Sequence, residues 1–465
     1  MMYTGGARSP KRMCLQPVLV FLALAIQVLS GPAAFCQEGP EEGPPVQRLS
    51  PDGAVDLAIK NNLSLESARV DTSTKRRNSL MSWNQFIPGA SAAGGMSRDN
   101  KKAEASILAP DPPQWHMSGS ISLSLDINAA KFENIRSLKL DYQAGLISFE
   151  KAKIQLERDI RKYYYQLLLL QEEIDILRDS LATAQRQVEM SQANYRAGLV
   201  PELTLLQARV SMENLKPAID EKENSLRGLT AQFAMNLGLP YDTRFEFIDA
   251  PEQIGFVSLD IKELISRAAS EKPEIQELRQ RMLVLDSRRR AAILSTYTPS
   301  LSMGWNTSAA FQRDPWEDSW ASSNNWSHSG ALSLGLSFKL DSLIPFSITA
   351  QGVKDLTDQQ RIAAIGLAQA VQGTEVEIYN TVLSLEKTQV TLEAQKLTED
   401  LAERTYNLTE EAYRAGLREF LEVQNAELEL RKARLGVQAQ NFNYLMGLID
   451  LEYATGVPFG TLSAK

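Results

Sequence analysis

Cysteine is nearly absent: the 465 residues contain only Cys14 and Cys36, both in or beside the N-terminal segment. The body of the chain therefore has no disulfide framework and no thiolate metal cluster. Histidine is equally scarce. His116 and His328 fall at matching positions of two similar segments, but nothing else of ligand spacing lies nearby, so they read as ordinary loop residues and no metal or other cofactor is expected. Charge is not concentrated either: 49 Lys plus Arg against 57 Asp plus Glu leave a formal charge of -8, without the basic face that a nucleic-acid partner requires. No Ser, Asp and His form a nucleophile motif and no glycine-rich phosphate loop follows a strand, so the chain does not read as an enzyme. Outside the N-terminal segment, no run approaches the 18 uninterrupted apolar residues that a membrane-spanning helix needs.

Residues 1–36 have the order of a secretory signal peptide: Lys11 and Arg12, the apolar run Val18 to Leu29, then small residues at Ser30, Gly31, Ala33 and Ala34. Cys36 is either discarded or lipidated, and Phe35 before it makes a poor lipoprotein signal. Residues 37–49, rich in proline, glycine and glutamate, read as a flexible leader.

What the chain does have is a pattern written twice. Tyr195-Arg196-Ala197-Gly198-Leu199 recurs 218 positions later as Tyr413-Arg414-Ala415-Gly416-Leu417. Each copy follows a helical pattern of unusual length, over 131–197 and 352–415, and precedes a return helix, over 200–237 and 417–454. In the last helix Leu421, Leu428, Leu435, Phe442 and Ile449 recur every seventh residue, the spacing of a coiled-coil seam. A helix over 131–197 would be about 100 Å long at 1.5 Å per residue. The two repeats span 50–238 and 259–455, joined by a connector over 239–258 and followed by a tail over 456–465. Each opens with a helix, interrupted near Asn61 and Asn62 in the first copy and at Lys272-Pro273 in the second. The proline before the strands repeats at an offset of 211 (Pro88, Pro299), so the copies differ by about seven residues between strand and tip, and one heptad can be inserted without rotating a seam.

Between the helices lie β-hairpins over 88–128 and 299–341. In the first, Ile121, Leu123, Leu125 and Ile127 alternate with Ser120, Ser122, Ser124 and Asp126. In the second, Leu332, Leu334, Leu336, Phe338 and Leu340 alternate with Ser333, Gly335 and Ser337. Period two with one apolar and one hydroxyl-bearing face suits a tilted outer-membrane strand, with Trp83, Phe86, Trp115, Tyr297 and Trp326 near the strand ends as interfacial aromatics. A soluble half-buried sheet would show the same alternation. In lipid, four strands leave unsatisfied edges, so several subunits must close one barrel: two copies give eight strands and three give twelve.

Over essentially its whole mature length the chain resembles the TolC-like outer-membrane efflux protein family. The resemblance rests on the duplicated tips, Asn194 to Ala208 and Ala412 to Ala426, and on Asn443 to Gly456, which is similar to the family's usual C-terminal helix. It implies a mainly α fold with membrane β-barrel strands: a homotrimer in the outer membrane with a twelve-stranded barrel continued by a twelve-helix periplasmic tunnel. It also implies that Tyr195, Gly198, Leu199, Gly416 and Leu417 form tips where a periplasmic adaptor (membrane fusion protein) docks. Glu422 and Asn425 match the acidic positions that constrict the periplasmic entrance, one of them neutral here, and a solvated helix face is the plainer reading of Glu422. Tyr413 and Arg418 match two of the residues that link the closed tip, whereas the family's aspartate is replaced by Thr204. The expected function is a passive gated exit duct, driven through the adaptor by an inner-membrane pump of RND, ABC or MFS type, in efflux or type I secretion. A structural coiled-coil envelope protein and a periplasmic adaptor are the competing readings.

Overall fold

The computed structural model describes residues 46–101, 114–248, 260–311, 313, 316 and 318–462. The signal segment with Cys36, most of the leader and the second half of the connector lie outside the described residues. In chain order the elements are β1 (Val46–Leu49), α1 (Pro51–Asn61), α2 (Leu63–Leu80), β2 (Gly89–Arg98), β3 (Trp115–Ile127), α3 (Ala130–Arg196), α4 (Glu202–Asn236), β4 (Arg244–Phe247), α5 (Ile261–Glu271), α6 (Pro273–Tyr297), β5 (Ser300–Phe311), β6 (Trp326–Ser337), α7 (Ile348–Arg414) and α8 (Phe420–Thr455). Two pieces depart from the sequence reading. Residues 46–49 of the expected leader form β1, which pairs in parallel with β4 inside the expected connector. Local composition could not reveal this, because each four-residue strand exists only through its distant partner.

The helices begin and end where local chemistry dictates. Ser50 accepts the Gly53 amide at 3.1 Å with Pro51 at the first helical position. Asn62 breaks the first helical stretch: its side chain caps α2 through the Leu65 amide at 3.0 Å and donates to the Asn236 carbonyl at 2.8 Å, tying the break to the end of α4. Both long helices contain 67 residues. The seven extra residues of the second copy therefore do not lengthen the coiled coil. The link 338–347 between β6 and α7, which includes a short 3-10 turn, Leu340–Leu343, is eight residues longer than the link 128–129, and the hairpin before it is one residue shorter, which gives the net seven.

Each long hairpin is anchored at mid-height by its own short helix. Around α1, an apolar core of Ala54, Val55, Ala58, Ile160, Tyr164, Leu167, Phe233 and Leu237 joins α3 and α4. It is closed by Phe245 and Phe247 of β4, with the Tyr164 hydroxyl donating to the Leu49 carbonyl at 3.1 Å. In the second copy Ala268 of α5 sits among Ile378, Val382, Leu385, Tyr444, Leu448 and Leu451 of α7 and α8.

Near the tip, the seam of α8 is not the one the sevenfold leucines suggest. A second row, Val423, Leu430, Val437, Tyr444 and Leu451, is buried within the chain, whereas of the sevenfold row Leu421 is 51% and Leu428 37% exposed and Ile449, farther from the tip, is buried. A heptad holds two apolar rows, and only packing tells which of them meets the chain's own helices. Leu401 and Leu408 of α7 and Leu203, Leu206 and Val210 of α4 are likewise exposed in a single chain.

The four long strands form one antiparallel sheet in the order β2-β3-β5-β6. Register aligns the alternation across strands. Leu123, Trp305 and Leu332 form one row, and Leu125, Met303 and Leu334 the next. On the other face the rows are Ser122, Asn306 and Ala331, then Ser124, Gly304 and Ser333, and hydroxyls of Ser91 and Ser122 meet at 2.7 Å. Trp83, Phe86 and Phe132 cluster at the helical end of the sheet, while Trp115, Phe311 and Trp326 stand at the far end. Leu332, Leu334 and Leu336 are 71–79% exposed, and a free apolar face of this breadth does not persist in water.

Candidate functional site: the hairpin tips and the groove above them

At both tips the long helix is stopped by a glycine with a left-handed backbone, φ 72° at Gly198 and 75° at Gly416. The Leu199 amide bonds the Asn194 carbonyl at 2.9 Å and the Leu417 amide bonds Ala412 at 2.8 Å, with Gly198 to Tyr195 and Gly416 to Tyr413 inside them. This double closure satisfies carbonyls that the helix end would leave open. Leu199 and Leu417 project into solvent at 73% and 78% exposure, and a Cβ added at either glycine would meet nothing within 4 Å. The glycines are thus required by backbone conformation and not by crowding.

The tips differ in their aromatic residues. Tyr195 is exposed, whereas the Tyr413 ring packs 5.8 Å from Phe420, the position at which the first copy has Glu202, and the Tyr413 hydroxyl is buried with no partner. Arg418 Nη1 reaches Glu422 Oε2 at 2.6 Å, one helical turn apart. Both ends of this pair are well exposed, so it contributes on the order of 1 kcal/mol or less. Among the described residues no hydrogen bond joins Thr204 to Tyr413 or Arg418. The structure brings Arg418 to the candidate constriction residue itself.

Glu422 and Asn425 open onto a groove between α7 and α8 with Thr405, Thr409 and Glu429. Further along the same pair of helices a second groove is walled by Thr381, Ser384, Thr388, Thr391, Gln440 and Asn443. The threonines return their hydroxyls to carbonyls one turn back, as Thr388 does to Ser384 at 2.7 Å. Such a wall offers hydroxyl and amide groups to water while leaving the helix intact.

Sequence reasoning missed a buried polar cluster about three turns above the tips. Glu427 of α8 is 8% exposed, and burial pushes its carboxyl up from the ordinary glutamate value, while the positive charge of Arg431 pulls it down less strongly. Tyr406 of α7 is also raised, first by burial and then by Glu410 and Glu427. Gln187 and Ser191 of α3 are buried at the same height. The available signal was their place in the pattern, at seam spacing after Ala184 where an apolar residue belongs.

Comparison with known proteins decides the family. Residues 54–227 and 264–457 match the family described as outer membrane efflux protein. The chain belongs to that family. It is an outer-membrane channel leading from the periplasm to the exterior, with a large periplasmic portion, and not an enzyme. Among solved structures, the CmeC outer membrane channel of Campylobacter jejuni is 15% identical with a TM-score of 0.72, over 87% of this chain and 85% of that one. The outer membrane protein VceC of Vibrio cholerae is 16% identical at a TM-score of 0.69, over 88% and 96%. The open state of the Neisseria gonorrhoeae MtrE outer membrane channel is 15% identical at 0.66, over 88% and 89%. Comparison of the sequence with curated proteins finds no match. At these identities the structural likeness shows the efflux-protein fold.

Proposed function

We propose that three copies of this efflux protein close a twelve-stranded barrel over a twelve-helix tunnel, and that the assembly is the passive, gated exit duct of a tripartite efflux or type I secretion system. The observation that carries the reading is the four-stranded sheet, whose outer edges on β2 and β6 have no partner among the described residues and whose apolar face is exposed. In a bilayer those edges must pair with another copy, because each unsatisfied backbone group costs several kcal/mol there. The exposed Leu203, Leu206, Leu401, Leu408, Leu421 and Leu428 give the helices apolar rows for neighbouring copies.

In such an assembly the Gly198-Leu199 and Gly416-Leu417 tips present bare leucines to the helical hairpins of a periplasmic adaptor, through which an inner-membrane pump of RND, ABC or MFS type supplies the energy. Three copies of Glu422, each partly neutralised by its own Arg418, form a cation-preferring ring at the entrance, with neutral Asn425 one turn further in. Tyr413, Arg418 and Thr204 stand where links across the closed tip would form. The test is planar-bilayer conductance on a detergent-purified sample of known oligomeric mass. A trimer giving small cation-preferring channels supports the duct, and a monomer or dimer that never conducts leaves a structural envelope coiled coil.

A further inference from the structure

The chain's two long hairpins, α3 with α4 and α7 with α8, adhere unequally along their length. Near mid-height Lys162 pairs with Asp450, the Gln155 amide donates to the Tyr453 hydroxyl at 3.0 Å, and the Arg158 guanidinium lies 4.4 Å over the Tyr453 ring. Towards the tips the crossing bonds are long: Gln438 Nε2 to Glu172 Oε1 and Gln424 Nε2 to the Gln207 carbonyl, each 3.4 Å. Among the described residues no ion pair joins the hairpins beyond Lys162–Asp450.

The seam turns polar where adhesion weakens. Buried positions of α3 run through Ile160, Leu167, Ile174 and Ala184 and then become Gln187 and Ser191, while on α8 Glu427 interrupts Val423 and Leu430. Ser191 Oγ and Glu427 Oε1 are buried without a partner, the Gln187 amide has the Tyr406 hydroxyl beside it, and a cavity of about 120 Å³ beside Glu427 opens between α3, α7 and α8. Unpartnered buried polar atoms penalise the packed arrangement, and hydration on parting would relieve the penalty.

We propose that Glu427 is a gate-positioning residue whose proton decides whether the hairpins pack or part near the tips. Neutral, its carboxyl is tolerated in the seam. Ionised, it is poorly hydrated in the packed seam, and parting hydrates it more fully. This rests on the gated-duct reading above. The charged and titratable groups around it are Asp179 and Arg186 from α3, Glu403, Tyr406 and Glu410 from α7, and Arg431 and Arg434 from α8. Arg434 is engaged by Glu399 and Glu403, which leaves Arg431 as the cation acting on Glu427. Because burial raises the carboxyl in the packed state, packing holds the proton more tightly than parting does. Packing is fully favoured below the ordinary glutamate value of about 4.3 and weakens as pH rises through the raised value.

The test is the distance between spin labels at Ala197→Cys and Ala415→Cys in the full-length, detergent-purified protein, diluted with unlabelled copies so that one chain is read. Between about pH 4 and pH 7 the long-distance fraction should rise, whereas in Glu427→Gln it should stay at its low-pH value. Should the glutamine variant misfold, Glu427→Leu, which fills the same space with an apolar group, must show the same loss of response. Distances that ignore pH in the unmodified seam, or a Glu427→Gln protein that responds as fully, overturn the proposal. Bilayer conductance on the same samples separates the two readings. Conduction with pH-invariant distances removes the latch and keeps the duct, whereas a pH-driven distance change without conduction removes the duct and keeps the latch.

Discussion

Alanine at Gly238 should be far more damaging than alanine at Gly416, although the two backbones are nearly the same. Both are left-handed, with φ 70° and 75°, and that conformation costs an L-residue about 1–2 kcal/mol. At Gly416 nothing lies within 4 Å of an added Cβ, so that strain is the whole penalty. At Gly238 the Cβ would stand 2.4 Å from the Asn61 carbonyl oxygen and 2.8 Å from its carbon. These are backbone atoms at the break between α1 and α2, fixed by the bond from Asn62 to Asn236, and they cannot swing away. Overpacking adds about 1–3 kcal/mol, giving a total of about 2–5 kcal/mol. The assay is the urea midpoint of the purified protein followed by helical circular dichroism. Equal shifts for the two variants would show that the contact between Gly238 and Asn61 is not a rigid one, and the reasoning from the added Cβ would fail.

Three further outcomes are expected. Glu422→Gln should weaken cation preference and divalent-cation block of single-channel current, while Arg418→Ala, which frees the carboxylate from its 2.6 Å partner, should strengthen both; unchanged block in the two variants removes the pair from the entrance. A bulky charged residue at Gly416 should abolish crosslinking to the adaptor without preventing membrane insertion, because its added side chain meets open space at an exposed tip; normal crosslinking would refute the docking assignment. The Glu452 carboxyl, 1% exposed, accepts the Gly460 amide at 3.1 Å and the Leu462 amide at 2.7 Å. Glu452→Ala should leave both amides unpaired at about 1–3 kcal/mol each, seen as lost hydrogen-exchange protection of those amides, and retained protection would show that the tail is held by other contacts.

Much of this protein follows from short-range regularities of its chain. Period two gave the strands, and steps of three and four gave the helices. The two glycines after Tyr-Arg-Ala gave the tips, and their repetition gave the duplicated architecture of the efflux family. These are local properties: a glycine ends a helix, and a serine alternating with a leucine makes a two-faced strand, whatever stands across from them. The tertiary structure decided what depends on partners far apart in sequence. It paired 46–49 with 244–247, and it put the second copy's extra length after β6 instead of in the coiled coil. It chose the row of Val423, Leu430 and Val437 over that of Leu421 and Leu428 as the inner seam, because both rows repeat every seven residues and only the neighbouring helix distinguishes them. It also revealed Glu427, Gln187 and Ser191 in one buried layer, since a polar residue at seam spacing becomes informative only when the surrounding helices are seen to exclude water from it.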